Sequence, residues 1–271
     1  MTDKQHTIKA PDTVSGVGLH TGKPVNLTFQ PAAENHGFVF QRMDVEGKPE
    51  IPALVDHVVD TSRGTTLGVK GVKVHTVEHV LAALVGLHLD NVKIEIDGPE
   101  PPALDGSAIE FVKALESAGL EEQEAKRDYF EIEKPIYFQV AEHNVQLAAL
   151  PSSDYSLNVN IDFNSKILKS QHASLLNVTD FPAQIANSRT FSFLHEVEGL
   201  YKSGLIQGGN LDCAVVVVDE SITEEKAKEL GEIFGEKGFE VKQGFINAEG
   251  GLRYDNEQAR HKLIALIGDL E

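Results

Sequence analysis

Two short stretches of the sequence, far apart in the chain, carry the residues best suited to metal chemistry. The first is His75-Thr-Val-Glu-His79, which runs into an apolar segment, and the second is a similar apolar segment that begins with His261. When His261 is aligned with His79, five of the eight residues from 261 to 268 are identical to those from 79 to 86, without a gap. The two histidines therefore occupy equivalent points of two similar predicted helices.

The spacing of apolar residues predicts where these helices must pack. Each has its apolar residues at helical intervals, so one stripe of each must be buried against another element. Two similar helices, one in each half of the chain, could pack on each other and bring His79 and His261 together, with Glu78 beside them. Two imidazoles and a carboxylate that is not needed as a ligand are most of what a catalytic zinc site requires, namely ligands for the ion and a base for its water.

Two other interpretations of the first stretch are open. The spacing His75-x-x-Glu78-His79 matches the inverted zinc-protease pattern, in which both histidines bind the metal from one helix face and the glutamate is the base. The same residues are also compatible with an ordinary polar helix surface. Neither interpretation explains why His261 recurs in register with His79.

Composition limits the class of protein and its partners. A chain of 271 residues suits two domains of ordinary size. The net charge of −18 argues against nucleic-acid backbones and anionic membrane surfaces as partners. The single cysteine, Cys213, excludes an internal disulfide and is expected to be buried. The absence of a leader-like apolar run and of a membrane-length apolar stretch favours a cytoplasmic protein with no transmembrane segment.

Predicted secondary structure repeats in the two halves. Several strands, such as the alternating residues 25–29 and 157–163, precede each of the two histidine helices, which predicts a duplicated α+β unit. The Glu- and Lys-rich segment 121–128 predicts an interdomain linker. We therefore expect an N-terminal α+β domain over residues 1–124 and a C-terminal α+β domain over residues 125–271.

Six motifs occur along the chain in a recognisable order. They are Gly16-Val-Gly-Leu-His-Thr-Gly22, Thr76-Val-Glu-His-Val-Leu-Ala-Ala-Leu84, Leu104-Asp-Gly-Ser107, Ser188-Arg-Thr-Phe191, Gly204-Leu-Ile-x-Gly-Gly209 and Arg253-Tyr-x-Asn-Glu-x-x-Arg-His-Lys262. This order resembles that of the UDP-3-O-acyl-N-acetylglucosamine deacetylases, which perform the committed step of lipid A synthesis in Gram-negative bacteria. The sequence also resembles the deacetylase half of forms fused to a β-hydroxyacyl-carrier-protein dehydratase.

The resemblance implies a fold and a set of roles. The implied fold is two similar domains, each a mainly antiparallel sheet backed by two helices, with the helices of both domains packed between the sheets. The implied substrate is an acylated UDP-amino sugar and the implied cofactor is zinc. The implied site residues are His79 and His261 as zinc ligands, Glu78 as general base, Thr190 as a donor to the oxyanion, Phe191 and Lys262 as substrate contacts, and Asp269 as the carboxylate that orients a catalytic histidine.

The sequence departs from this family pattern at two places. The third zinc ligand of the family, an aspartate one helical turn after the second histidine, is Ala265 here. Asp269 lies eight residues after His261, roughly 12 Å along a helix. It therefore cannot replace that ligand unless the helix unwinds. The family's general-acid histidine follows a segment beyond the last residue of this sequence, so the second domain is expected to be incomplete at its end.

Three hypotheses follow from these departures. The first is a zinc deacetylase of reduced activity in which solvent replaces the missing ligand. The second is a catalytically impaired or dead copy that only binds the acyl-sugar nucleotide. The third is an altered copy that folds poorly. A monomer is favoured in each case.

Overall fold

The computed structural model describes residues 4–219, 222–235, 240–247 and 249–270. The strands and helices of the first half are, in chain order, β1 (Lys4–Ile8), β2 (Asp12–Val17), β3 (Pro24–Pro31), β4 (Phe38–Arg42), β5 (Glu50–Pro52), β6 (Val58–Asp60), β7 (Thr66–Val69), β8 (Val72–Val74), α1 (Glu78–Gly86), β9 (Val92–Ile96), α2 (Ile109–Ala118) and β10 (Leu120–Lys126).

The second half continues with shorter elements. They are β11 (Ile136–Val140), β12 (Val145–Ala149), β13 (Leu157–Asp162), β14 (Ser170–Leu175), α3 (Phe181–Gln184), β15 (Phe191–Phe193), α4 (Leu194–Lys202), β16 (Val215–Val217), α5 (Glu224–Phe234), β17 (Phe245–Ile246) and α6 (Glu257–Asp269). Single turns of 3-10 helix lie at Val55–His57, Ala141–His143 and Val178–Asp180.

A five-stranded sheet with the order β2-β3-β9-β4-β5 forms the first half. The strand that follows α1, β9, lies at its centre, antiparallel to β3 and parallel to β4. In β3 the side chains of Val25, Leu27 and Phe29 are buried and those between them are not, as the alternation predicts. The ring of Phe29 meets that of Phe111 edge-on at 6.4 Å, which fixes α2 against this apolar face.

Smaller sheets complete the structure. Strands β6, β7 and β8 form an antiparallel sheet in the first half. In the second half β11 pairs with β12 and β13 with β14, both antiparallel, and among the described residues no strand joins these two pairs. Strand β16 lies between β15, to which it is parallel, and β17, to which it is antiparallel. The predicted α+β class with mainly antiparallel sheets is confirmed.

Helices α1 and α6 pack directly on each other in the interior. Val80 and Leu84 of α1 share one buried apolar cluster with Leu263 and Ile267 of α6. The backbones approach so closely that a Cβ added to Gly268 would lie 2.1 Å from the carbonyl oxygen of Glu78. Helix α6 also lies against β13 and β14. The two halves therefore share a core at the helices that carry the two histidines.

The segment predicted to be a linker is a strand for most of its length. Residues up to Lys126 form β10, which pairs antiparallel with β1 of the first half. Its Gln123 accepts a hydrogen bond from the amide of Asn91 at 2.8 Å. A strand whose charged side chains face solvent still satisfies its backbone by pairing, so charge density alone misjudged this segment. The domain boundary between residues 124 and 125 stays a prediction.

Two further expectations concern burial and membrane spans. Cys213 is buried, as predicted, with an exposed fraction of 2%. The longest of the described helices, α6, has 13 residues, and in the described ranges no helix is both long enough and apolar enough to cross a bilayer.

Candidate active site

The two aligned histidines meet at the contact between α1 and α6. Their ring centroids are 5.0 Å apart and the rings are nearly perpendicular, with an interplanar angle of 75°. His79 lies in the first turn of α1, and His261 lies in the second turn of α6. The spacing is compatible with one ion held between them, because zinc–nitrogen bonds are about 2.0–2.1 Å long.

Both imidazoles are held in the neutral form that binds metals. Burial lowers the pKa of His79 to about 4. Burial, followed by the charge of His79, lowers the pKa of His261 well below its usual value. Nδ1 of His261 lies 3.1 Å from the carbonyl oxygen of Ser188, and the His79 ring hydrogen bonds the backbone of Ser107. An N–H that donates to a backbone carbonyl leaves the other ring nitrogen with a free lone pair for a ligand.

Glu78 sits next to this pair in an environment suited to a base. Its side chain is buried, and burial raises its pKa to about 7, with the nearby charges of Asp269 and Glu100 acting in the same direction. The backbone N–H of Thr65 donates to its Oε2 at 3.0 Å and so orients the carboxylate. A carboxylate with a pKa near the working pH can both take and return a proton.

The residues predicted to contact substrate lie around the histidines. The ring centroid of Phe191, at the start of β15, is 6.2 Å from that of His261, and the ammonium of Lys262 lies 5.7 Å from the Phe191 centroid. The pKa of Lys262 is lowered, because burial removes water from the ammonium and the positive charge of Arg63 lies nearby. Thr190 immediately precedes Phe191. Its backbone N–H donates to the carbonyl oxygen of Gly106, in the first half of the chain, at 2.7 Å.

Asp269 lies in the same region, because it shares the hydrogen-bond donor Thr65 with Glu78. The hydroxyl of Thr65 donates to Asp269 Oδ1 at 2.5 Å, while the N–H of that threonine holds Glu78. Burial raises the pKa of Asp269. The structure thus brings all seven predicted residues to one place, and their roles stay predictions.

The inverted zinc-protease interpretation fails on the start of α1. That helix begins at Glu78, so His75 lies before it and cannot share a helix face with His79. His75 instead pairs through Nδ1 with the hydroxyl of Thr66 at 3.0 Å. Threonine is a common helix cap, but Thr76 has a φ of 56° and donates its hydroxyl to Glu100 at 3.1 Å. The interpretation as a polar helix surface also fails, because Glu78 is buried.

Glu100 is a buried carboxylate that sequence reasoning missed. It accepts hydrogen bonds from the backbone N–H groups of His20 and Thr21 at 3.0 to 3.1 Å, and from Thr76. It therefore ties the glycine-rich loop 16–22 to the residues that lead into α1. The available signal was a glutamate among three prolines, at Pro99-Glu-Pro-Pro102.

A buried ion pair, also missed, holds α6 to the strand that carries Phe191. Arg189 is 1% exposed and Glu257, the first residue of α6, is fully buried. The guanidinium donates to both carboxylate oxygens, at 2.8 and 3.1 Å, and the Arg189 N–H donates at 3.0 Å. The N–H of Arg253 adds a fourth bond at 2.8 Å. The pair fixes where His261, one turn further along α6, meets Ser188 and Phe191.

The described residues supply part of a zinc ligand set. The geometry and protonation of His79 and His261 fit two ligands, whereas catalytic zinc normally has three from the protein. Within residues 4–219, 222–235, 240–247 and 249–270, no group of three or more His, Cys, Asp or Glu side chains is arranged to hold a metal. Ala265, half-buried in α6, lies where the third ligand was expected from the family pattern.

A buried carboxylate that can take a proton, beside two neutral imidazoles, is an arrangement suited to hydrolysis. The family model described as LpxC, UDP-3-O-acyl N-acetylglycosamine deacetylase, matches residues 5–233. The chain therefore belongs to the UDP-3-O-acyl-N-acetylglucosamine deacetylase family, as the six motifs suggested.

Similar proteins of two kinds support this assignment. The bifunctional enzymes LpxC/FabZ of Chlorobaculum tepidum and Bacteroides thetaiotaomicron are each 44% identical to this chain over 98% of its length. The chain spans 58% of the length of these two relatives. The UDP-3-O-acyl-N-acetylglucosamine deacetylase of Myxococcus xanthus is 39% identical over 98% of this chain and 77% of its own length.

Proposed function

We propose that this chain is a zinc-dependent deacetylase that hydrolyses the acetamide of UDP-3-O-acyl-N-acetylglucosamine, in the committed step of lipid A biosynthesis. The products are UDP-3-O-acyl-glucosamine and acetate. The observation that carries the proposal is the buried Glu78 carboxylate, with a pKa raised to about 7, beside two neutral imidazoles 5.0 Å apart. Family membership supplies the substrate class.

Each residue of the site has a role in this proposal. His79 and His261 would hold the zinc, which when bound polarises the acetamide carbonyl and makes water more acidic. Glu78 takes a proton from the attacking water as the tetrahedral intermediate forms, and it passes that proton to the sugar nitrogen as the C–N bond breaks, so that the amine leaves and acetate remains. The Thr190 hydroxyl donates to the oxyanion. Phe191 and Lys262 contact the substrate.

The environment of Glu78 explains how it can act as this base at neutral pH. Its pKa near 7 leaves a large fraction of the carboxylate ionised, and the Thr65 N–H orients it. A cytoplasmic location and a monomer are part of the proposal. The location is supported by the single, buried thiol of Cys213, which fits a reducing compartment.

A second candidate function is binding of the acyl-sugar nucleotide without turnover. The observation that favours it is Ala265, which leaves the metal one protein ligand short. Weaker zinc binding would remove most of the rate of acetamide hydrolysis and leave the substrate contacts of Phe191 and Lys262 in place.

Metal analysis and acetate release separate these functions. The chain is incubated with zinc, freed of excess metal, and its metal content measured by mass spectrometry, with the His79→Ala and His261→Ala variants as controls. Acetate release from the acyl-sugar nucleotide is then followed. The deacetylase proposal requires zinc that both variants lose, and turnover that Glu78→Gln abolishes while zinc is retained. Less than about a tenth of an equivalent of zinc refutes it, whereas substrate binding without acetate supports the second function.

A further inference from the structure

An ion pair at the rim of the site joins the two halves of the chain. Nη2 of Arg63, in the loop before β7, donates to Oε1 of Glu196, in the first turn of α4, at 2.8 Å. The other carboxylate oxygen accepts a hydrogen bond from the N–H of Phe193 at 3.4 Å, which anchors Glu196 to its own helix start. The side chain of Arg63 is 49% exposed, so it is accessible to solvent and to ligands.

The loop that carries Arg63 also lines the proposed site. Two residues further on, Thr65 donates its N–H to Glu78 and its hydroxyl to Asp269. A Cβ added to Gly64 would lie 3.0 Å from a Glu78 carboxylate oxygen. Arg63 is therefore two residues from Thr65, which contacts the proposed base, and its side chain extends from there to α4 on the opposite wall of the site.

On that opposite wall a second cation lies close by. Helix α4 follows β15 directly, and the Phe191 ring of β15 is 5.7 Å from the ammonium of Lys262. The charges of both Arg63 and Glu196 reach that ammonium. Two cations, Arg63 and Lys262, thus lie beside the candidate active site among the carboxylates of Glu78, Asp269 and Glu196, and either cation can pair with an anion that enters the site.

The backbone of Arg63 is held in an unfavourable conformation. Its φ is 64°, in the left-handed region that residues with a side chain rarely adopt. The His20 ring hydrogen bonds the backbone of Arg63, and His20 in turn accepts a bond from the N–H of Ile206 at 3.3 Å. Such a conformation persists where the surrounding structure holds it, and it is found most often at functional sites.

We propose that Arg63 binds a phosphate group of the substrate's diphosphate, and that Glu196 is the counter-ion which holds the guanidinium in place until that group displaces it. The inference rests on the proposed function, whose substrate is a nucleotide sugar. A guanidinium presents paired N–H donors that match phosphate oxygens, and the dianionic diphosphate competes well with the single carboxylate of Glu196. Lys262 supplies the second positive charge.

The alternative is that the ion pair only holds the two halves of the chain together, and the two hypotheses predict different changes in UDP affinity. If the pair is only structural, neutralising either partner has the same effect on UDP binding, so both variants would behave alike. In the proposal Glu196 competes with the phosphate for Arg63, so neutralising the glutamate improves phosphate binding and neutralising the arginine weakens it.

Binding of UDP to the 271-residue chain tests this by calorimetry at low, constant ionic strength. Arg63→Gln is expected to weaken UDP binding about fivefold, because a charged hydrogen bond to phosphate is lost. Glu196→Gln is expected to tighten it about threefold, and this gain should vanish in the double variant. Uridine, which lacks the phosphates, is the ligand control and should bind all variants equally. Lys113→Gln, which breaks the exposed Lys113–Glu110 pair on α2, is the matched protein control.

Several results would overturn the inference. They are weaker UDP binding by Glu196→Gln, UDP binding that neither variant changes, or no UDP binding by the unmodified chain. Thermal melting of each variant checks folding, and if Arg63→Gln fails to fold, the direction of the Glu196→Gln effect decides. Acetate release is measured separately, so absent turnover with the expected pattern of UDP binding refutes the deacetylase and leaves the role of Arg63 standing.

Discussion

The substitution Glu257→Gln tests how strongly the buried ion pair holds α6 in place. It keeps the shape of the side chain and removes its charge. Of the four donors that converge on Glu257, three come from Arg189 and one from Arg253. Glutamine offers one acceptor oxygen, and its amide N–H groups point at the guanidinium donors instead of accepting from them.

The magnitude follows from the burial of both partners. Removing one member of a buried pair costs about 3–5 kcal/mol, because the other charge is left without compensation. Glu249, half exposed, remains 3.4 Å from Arg189 and supplies partial compensation, so we expect a loss of about 3 kcal/mol. For a chain of this size that corresponds to a decrease in melting temperature of about 6–12 °C.

Urea unfolding and thermal melting measure this loss against two comparison variants. Glu110→Gln breaks the exposed 2.6 Å pair with Lys113 and should cost less than about 1 kcal/mol. The double variant Arg189→Met with Glu257→Met removes both buried charges and should be more stable than Glu257→Gln. A loss below about 1 kcal/mol for Glu257→Gln, or a double variant less stable than the single one, would refute the reasoning.

Three further predictions concern metal binding, acid stability and close packing. Ala265→Asp places a carboxylate one turn after the histidine of α6 and should raise zinc affinity at least about tenfold in competition with a chelating dye; unchanged affinity contradicts the two-histidine site. Although burial raises the pKa of Asp105, hydrogen bonds from Arg253 and its own loop outweigh burial and hold that pKa below its usual value. Its contribution to stability is therefore present above about pH 4 and is lost as the pH falls through the folded-state pKa. We expect Asp105→Asn to be less stable than the unmodified chain at pH 7 and to lose less stability on acidification to pH 3, as urea midpoints would show. Gly268→Ala puts a Cβ 2.1 Å from the backbone of α1 and should cost about 1–3 kcal/mol in urea unfolding, whereas Gly251→Ala, with nothing within 4 Å, should be nearly neutral; equal effects would contradict the packing.

The local sequence pattern was sufficient to predict an element whose structure depends only on residues within that element. The alternation in residues 25–29 predicts a half-buried strand, and β3 has that pattern of burial. The apolar stripes of the two similar helices predict that both are buried, and they share one core. The sequence alone therefore predicted that His79 and His261 lie close together.

Pattern failed where a partner distant in sequence decides the structure. Thr76 has the chemistry of a helix cap, but its hydroxyl is taken by Glu100, 24 residues away, and α1 begins two residues later. The charged residues of β10 resemble a linker until β1 supplies its hydrogen-bonding partner. In both cases the competing interaction is invisible within a sequence window.

By itself the sequence determined two helices with histidines at equivalent turns and a glutamate beside one of them, because apolar periodicity acts over a few residues and sets which face is buried. The tertiary structure decided the chemistry of those residues. It buries Glu78 and so raises its pKa to about 7, and it pairs Arg63 with Glu196 across 133 positions. Both effects depend on which groups exclude water or bring charge, and only the packed chain determines that.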